Sequence, residues 1–199
     1  NGSEIYNIAK NVFENLGMNL IEFCRIPRLN SGNIDELVTV KGFDNFLNAY
    51  KKSKGVLFLT AHFGSWELMA VAVAQALKRI PLNVVVREPD SPIFARFINY
   101  VRTRCGNRIL GKKSQMRTLL SVLKKRECVG VLLDQNVTWS EGVFVDFFGK
   151  LTATNKGLAL LAIGSKSPVI PVFMIRKDNG LHELIFGEEV PIQITEDKK

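Results

Sequence analysis

From residue 55 onward the hydrophobic positions fall into short unbroken runs rich in β-branched residues, separated by longer stretches in which apolar residues recur every three or four positions. A run without polar alternation needs cover on both faces, as in a parallel sheet, whereas the longer period marks helices with one apolar side. The pattern predicts strands over 55–61, 82–87, 128–133 and 169–175, with a weaker one over 184–186. Between them it predicts helices over 65–78, 91–104, 114–126 and 154–166, several opening on a Ser or Thr able to cap the first turn. This order is that of an α/β protein with a mostly parallel central sheet flanked by helices.

Upstream, Ile5, Ile8, Ala9, Val12, Phe13, Leu16, Leu20 and Ile21 share one side of a predicted amphipathic helix. Packing of that side on the rest of the domain is the expected arrangement, with a membrane or partner surface as the alternative. A turn over 31–33 and a helix over 44–54 lead into the first strand.

At 199 residues, with 46% hydrophobic and 23% charged, the chain suits a single globular domain and is neither disordered nor of low complexity. No run approaches the roughly 18–20 apolar residues of a membrane-spanning helix. The three cysteines, Cys24, Cys105 and Cys128, are odd in number and widely spaced, which fits a reducing compartment better than a disulfide framework. The chain opens on Asn1-Gly2-Ser3 and closes on a charged tail, and is expected to be a fragment of something longer. The formal charge of +8 asks for an anionic partner: nucleic acid, acidic protein, phosphorylated small molecule or anionic lipid.

Ligands of open α/β sheets sit beyond the carboxyl ends of the strands, so the residues following each apolar run come first. The first run leads into His62-Phe63-Gly64-Ser65-Trp66-Glu67. Gly64 permits a tight turn and Ser65 can cap the next helix. Glu67, in its first turn, can fold back onto His62 as the acid that orients a general base. The same spacing also suits a buried histidine satisfied by a capping carboxylate. His182 falls in a polar turn, leaving His62 with little competition. Arg87 follows the second run and Asp134 the third; Asp134 reads equally as a site carboxylate or a structural turn residue. Phe144, Phe147 and Phe148 lie in an aromatic loop that suits either a core plug or the wall of an acyl-chain groove.

Residues 102–126 carry nine basic side chains and no acidic one. Lys124, Lys125 and Arg126 suit a helix C-terminus, whereas Arg102, Arg104 and Arg108 beside Cys105-Gly106 suit phosphate. Aromatic interleaving and a nucleic-acid reading motif are both missing from this stretch, so no nucleic-acid partner is expected. The sequence has no GxSxG, GxGxxG or GxxxxGK[ST] motif and no cluster with metal-ligand spacing, so neither metal nor cofactor is expected.

Four ordered blocks resemble the bacterial lipid A biosynthesis lauroyl/myristoyl acyltransferase family, a branch of the glycerolipid acyltransferases with an HX4D/E motif. They are 60–67, Arg87-Glu88-Pro89 through Arg102-Thr103-Arg104, Leu133-Asp134-Gln135 to Phe147-Phe148-Gly149, and Pro168-Val169-Ile170-Pro171-Val172. Leu20-Ile21-Glu22-Phe23 with Pro27-Arg28-Leu29 is similar as well. The resemblance implies transfer of an acyl group from acyl carrier protein to a hydroxyl of a phosphorylated glycolipid. The setting would be the cytoplasmic face of the bacterial inner membrane, with an anionic membrane surface as a further partner. It implies His62 as general base with Glu67 as its carboxylate, and places Arg87, Arg102 and Asp134 with the substrate. Members of the family carry a hydrophobic anchor before these blocks and helices after them. The resemblance extends to phosphatidylinositol mannoside acyltransferases, which leaves the acceptor open.

Overall fold

The computed structural model describes residues 2–30, 32–86, 89–111 and 116–193. In chain order these form α1 (Gly2–Arg25), two 3-10 turns (Ile26–Arg28 and Ile34–Glu36), β1 (Val38–Lys41), α2 (Phe43–Tyr50), β2 (Val56–Thr60) and α3 (Trp66–Leu77). There follow β3 (Leu82–Val86), α4 (Pro92–Thr103), β4 (Arg108–Gly111), α5 (Met116–Lys124), β5 (Cys128–Leu132), β6 (Gly142–Phe147), β7 (Lys150–Asn155), α6 (Gly157–Ser165), β8 (Val169–Arg176) and β9 (His182–Phe186).

Seven strands make one sheet in the order β1-β9-β8-β2-β5-β3-β4, and every neighbouring pair is parallel except β8 and β9. The central strand β2 explains why its sequence lacks polar alternation. Val56 and Phe58 enter one core with Phe46, Phe186, Ile170 and the α3 residues Leu68 and Val71. Leu57, pointing the other way, joins Leu119 and Leu123 of α5 and Leu158 and Leu161 of α6. Phe46 of α2 anchors the first core, with the rings of Phe43, Tyr50, Phe58 and Phe186 all within 6.1 Å. Truncating such a residue to alanine costs about 3–5 kcal/mol.

The mostly parallel sheet agrees with the pattern of apolar runs, and the differences lie where that pattern is weakest. β1 and β4 are four-residue edge strands with little burial, and neither has a continuous apolar run. The stretch expected as a loop over 142–149 is one arm of an antiparallel hairpin, β6 with β7. Phe148 (φ 54°) and Gly149 (φ 74°) are both left-handed, as the two central residues of a type I′ turn must be. Because β7 runs on to Asn155, α6 starts at Gly157, later than the apolar period suggests.

The expectation for α1 is also corrected. Residues 2–18 are exposed, including the apolar stripe from Ile5 to Leu16. The residue this helix buries is Asn19, and it is held to the body near its C-terminal end, by polar residues and by the packing of Phe23 on the core, rather than by its apolar stripe.

Candidate active site

The carboxyl ends of β2, β5 and β8 open on the same edge of the sheet, and β9, running the other way, begins there. β2 delivers His62 and β5 delivers Asp134. The imidazole Nδ1 lies 2.9 Å from Asp134 Oδ1, and the His62 main-chain N–H donates to Asp134 Oδ2 at 3.0 Å. One carboxylate thus grips the residue twice, fixing both the strand end and the ring. The Trp66 ring meets the imidazole edge-on at 5.4 Å. Both partners of the pair remain 37% exposed, so the ring is held yet reachable. Partial burial works to raise the Asp134 carboxyl, but hydrogen bonds from the His62 ring and main chain outweigh it and hold the carboxyl below its ordinary value. An ionised Asp134 accepting from Nδ1–H leaves Nε2 as the basic nitrogen.

Glu67 does not serve the imidazole. Its carboxylate is taken by Arg102 of α4 in a two-pronged contact, from Nε at 2.9 Å and from Nη2. The turn between β2 and α3 explains the divergence. Gly64 is left-handed (φ 57°), and a Cβ there would stand 2.0 Å from the Met174 carbonyl oxygen, so the chain passes directly over β8. Glu67 lies in the first turn of α3, where the last turn of α4 presents a guanidinium whose fork matches a carboxylate. The expected pairing of His62 with Glu67 is therefore replaced by two pairs, His62 with Asp134 and Glu67 with Arg102.

Ser65 is placed where a helix cap belongs, but its side chain makes no cap bond. Leaving a first-turn donor uncapped costs about 1 kcal/mol. The hydroxyl instead donates to Glu22 of α1 at 2.5 Å. Glu22 also accepts from Arg176 at the end of β8 (2.8 Å to each oxygen) and lies 3.0 Å from His182 Nε2. His182 is buried at the start of β9, not in a polar turn as the sequence suggests. Burial would raise the Glu22 carboxyl, yet the bonds from His182, Arg176 and Ser65, with the Arg176 charge, bring it down to about 2. The role of Glu22 is not apparent from the sequence beyond its place in the Leu20-Ile21-Glu22-Phe23 block, because its three partners lie 43 to 160 residues away.

A cavity of about 700 Å³ opens beside His62, Glu67 and Arg102, with walls that include Phe58, Val71, Leu82, Val84 and Gly130. Its size and apolar walls suit an organic ligand that leaves water. Phe144, Phe147 and Phe148 are not among its walls. They stand exposed on the β6–β7 hairpin, Phe148 at 90%, because the hairpin projects from the sheet instead of folding back as a plug. Arg104 donates to the Pro27 carbonyl and Arg108 to Glu127, so both guanidinium groups are engaged within the protein. Arg87 lies outside the described residues. Among the described residues no three His, Cys, Asp or Glu gather as metal ligands, and no helix is long and apolar enough to cross a membrane.

An imidazole anchored through Nδ1, partly exposed and lining an apolar-walled cavity on the carboxyl edge of an α/β sheet, has the geometry that general acid–base chemistry requires. The chain belongs to the bacterial lipid A biosynthesis acyltransferase family, whose model matches residues 2–199. It is 27% identical over 171 residues to a phosphatidylinositol mannoside acyltransferase of Mycolicibacterium smegmatis, covering 84% of this chain and 55% of that protein. It is 27% identical to the lipid A biosynthesis palmitoleoyltransferase of Escherichia coli, covering 85% and 54%. The lipid A biosynthesis lauroyltransferase of the same bacterium is 28% identical, with 87% and 55% covered. The chain thus spans about half the length of the curated relatives it matches.

Proposed function

We propose that the protein transfers a fatty acyl group from acyl carrier protein to a hydroxyl of a lipid A precursor or a related phosphorylated glycolipid, working at the cytoplasmic face of the bacterial inner membrane. The observation that carries this reading is the His62–Asp134 pair at 2.9 Å, partly exposed, with His62 lining the cavity. His62 Nε2 takes the proton of the acceptor hydroxyl as its oxygen attacks the thioester carbonyl carbon. Asp134 holds the ring in the tautomer that leaves Nε2 basic and stabilises the imidazolium formed. The tetrahedral intermediate collapses by breaking the carbon–sulfur bond, and the imidazolium returns the proton to the departing thiolate. Main-chain N–H groups of the Phe63–Gly64 turn are the donors assigned to the developing oxyanion, because the Arg102 fork is already engaged by Glu67. The apolar cavity receives the acyl chain, and the excess of basic side chains favours an acidic carrier protein, substrate phosphates and anionic lipid.

Both lipid A precursors and phosphatidylinositol mannosides are kept as acceptors, because relatives named for each match over a similar span. The test is to incubate the protein with isotopically labelled acyl–acyl carrier protein or acyl-CoA and a panel of both acceptor types, and to identify products by mass. A labelled acyl ester on either acceptor supports the reading. Binding of lipid without product, under conditions where the protein is folded, overturns it in favour of an inert lipid-binding module on the same fold.

A further inference from the structure

Three parts of the chain far apart in sequence converge on Glu22. Its two oxygens accept from Arg176 of β8, from His182 of β9 and from Ser65 in the turn between β2 and α3. The side chain is 12% exposed. Arg176 is held further by Asn19 at 2.8 Å and by Asn15, both on α1. Every bond in this cluster ties one rigid element to another except one. The Ser65 bond ties the cluster to the short turn that carries His62.

That turn has few other attachments. At one end His62 is gripped by Asp134, and in the middle Phe63 sets its ring edge-on against Phe173 and Gly64 passes over the Met174 carbonyl, contacts without a hydrogen bond. At the far end, the Ser65 hydroxyl is the polar link, and it is spent on Glu22 rather than on capping α3. A hydroxyl diverted from the cap to a remote carboxylate fixes where α3 begins relative to β8 and β9. It thereby fixes the direction in which the chain leaves His62.

We propose that Glu22 is a positioning residue for the transfer reaction, acting through Ser65 to hold the His62 turn in register with Asp134. The proposal rests on the acyl-transfer reading above. It assigns to α1 a role in catalysis at a distance: the helix touches no reacting atom, yet its carboxylate sets the seat of the general base. Displacing a reacting group by about 1 Å costs up to roughly 100-fold in rate, so a partial loosening of the turn has a measurable effect.

The test compares Ser65→Ala and Glu22→Gln with the parent chain in steady-state acyl transfer, with His62→Ala as the control. Ser65→Ala leaves Arg176 and His182 their carboxylate, and so carries the test alone if Glu22→Gln does not fold. The expected result is a fall in kcat of about tenfold with KM for the acyl donor unchanged within about twofold. For Ser65→Ala the unfolding midpoint should stay within about 4 °C of the parent. In an Asp134→Asn background, where the imidazole has already lost its anchor, the same Ser65→Ala change should cost less than about twofold. A downfield NMR signal is expected for the His62 Nδ1–H of the parent, and it should broaden or shift in Ser65→Ala. An unchanged kcat, or an equal loss in both backgrounds with an unmoved proton signal, overturns the proposal and leaves Glu22 a structural tie. Should His62→Ala retain parental turnover, the acyl-transfer reading itself fails, a result distinct from either.

Discussion

The site holds two carboxylate pairs, His62 with Asp134 and Arg102 with Glu67, and they are built for different tasks. Asp134 faces an imidazole, with both groups 37% exposed, and accepts from ring and main chain of the same residue. Glu67 faces a guanidinium, with the pair 16–22% exposed, and is clasped by two prongs. A guanidinium stays charged at any working pH, so the second pair is a permanent lock between α3 and α4. An imidazole gains and loses a proton in that range, so the first pair can take part in chemistry. The same acid chemistry yields a strut or a working group according to the base it meets and the water it keeps.

The comparison is broken most directly at His62. Replacement by alanine should lower turnover by about 10³-fold or more while leaving the circular dichroism and melting curve of the parent. Asp134→Asn keeps the shape but favours the wrong ring tautomer, and should cost at least about 10²-fold in kcat, measured in the same assay. Arg102→Ala, by contrast, should act on stability first. Losing a charge-assisted pair that is mostly withdrawn from water costs about 1.5–3 kcal/mol, to be read from denaturant titration, and Arg102→Lys should restore little of it because an ammonium has no fork.

Acid sharpens the distinction. The Glu22 carboxyl stands at about 2 in the folded protein against an ordinary value of 4.5, so its contribution to stability is complete above about pH 4.5 and disappears as pH falls toward 2. Arg176, His182 and Ser65 are the groups that face it. Melting temperatures of the parent and Glu22→Gln should therefore differ at neutral pH and converge as pH approaches 2. The smallest effect is expected at Phe148, whose ring is 90% exposed: Phe148→Ser should change folding stability by no more than about 0.5 kcal/mol and leave the length of acyl chain accepted unaltered.

The strands β2, β3, β5 and β8 were legible because two-sided burial writes itself as unbroken apolar runs. β1 and β4 were not, since four residues on a sheet edge need no such run. His62 and Asp134 were legible as candidates for a topological reason: both follow a strand that ends on the same edge. Which carboxylate would meet the ring was not legible, because nearness in sequence favoured Glu67, five residues away, over Asp134, 72 residues away. That choice depends on where α4 sets Arg102, a tertiary fact. The aromatic residues over 144–148 misled for a related reason, since hydrophobicity gives no signal of whether a hairpin lies down or stands up.

The reversal at β9 bears on how the protein is made. β1 finds its partner only at residues 182–186, and Glu22 closes its contacts only when Arg176 and His182 exist. At about 5–20 residues per second, a ribosome takes roughly 7–28 s to travel from the end of β1 to His182. For that interval β1 waits without the strand it pairs with. Such long-range closure slows folding and exposes sticky surface to other chains. The cluster around Glu22, to which Ser65 ties the His62 turn, is thus complete only once residues 176–182 have been made.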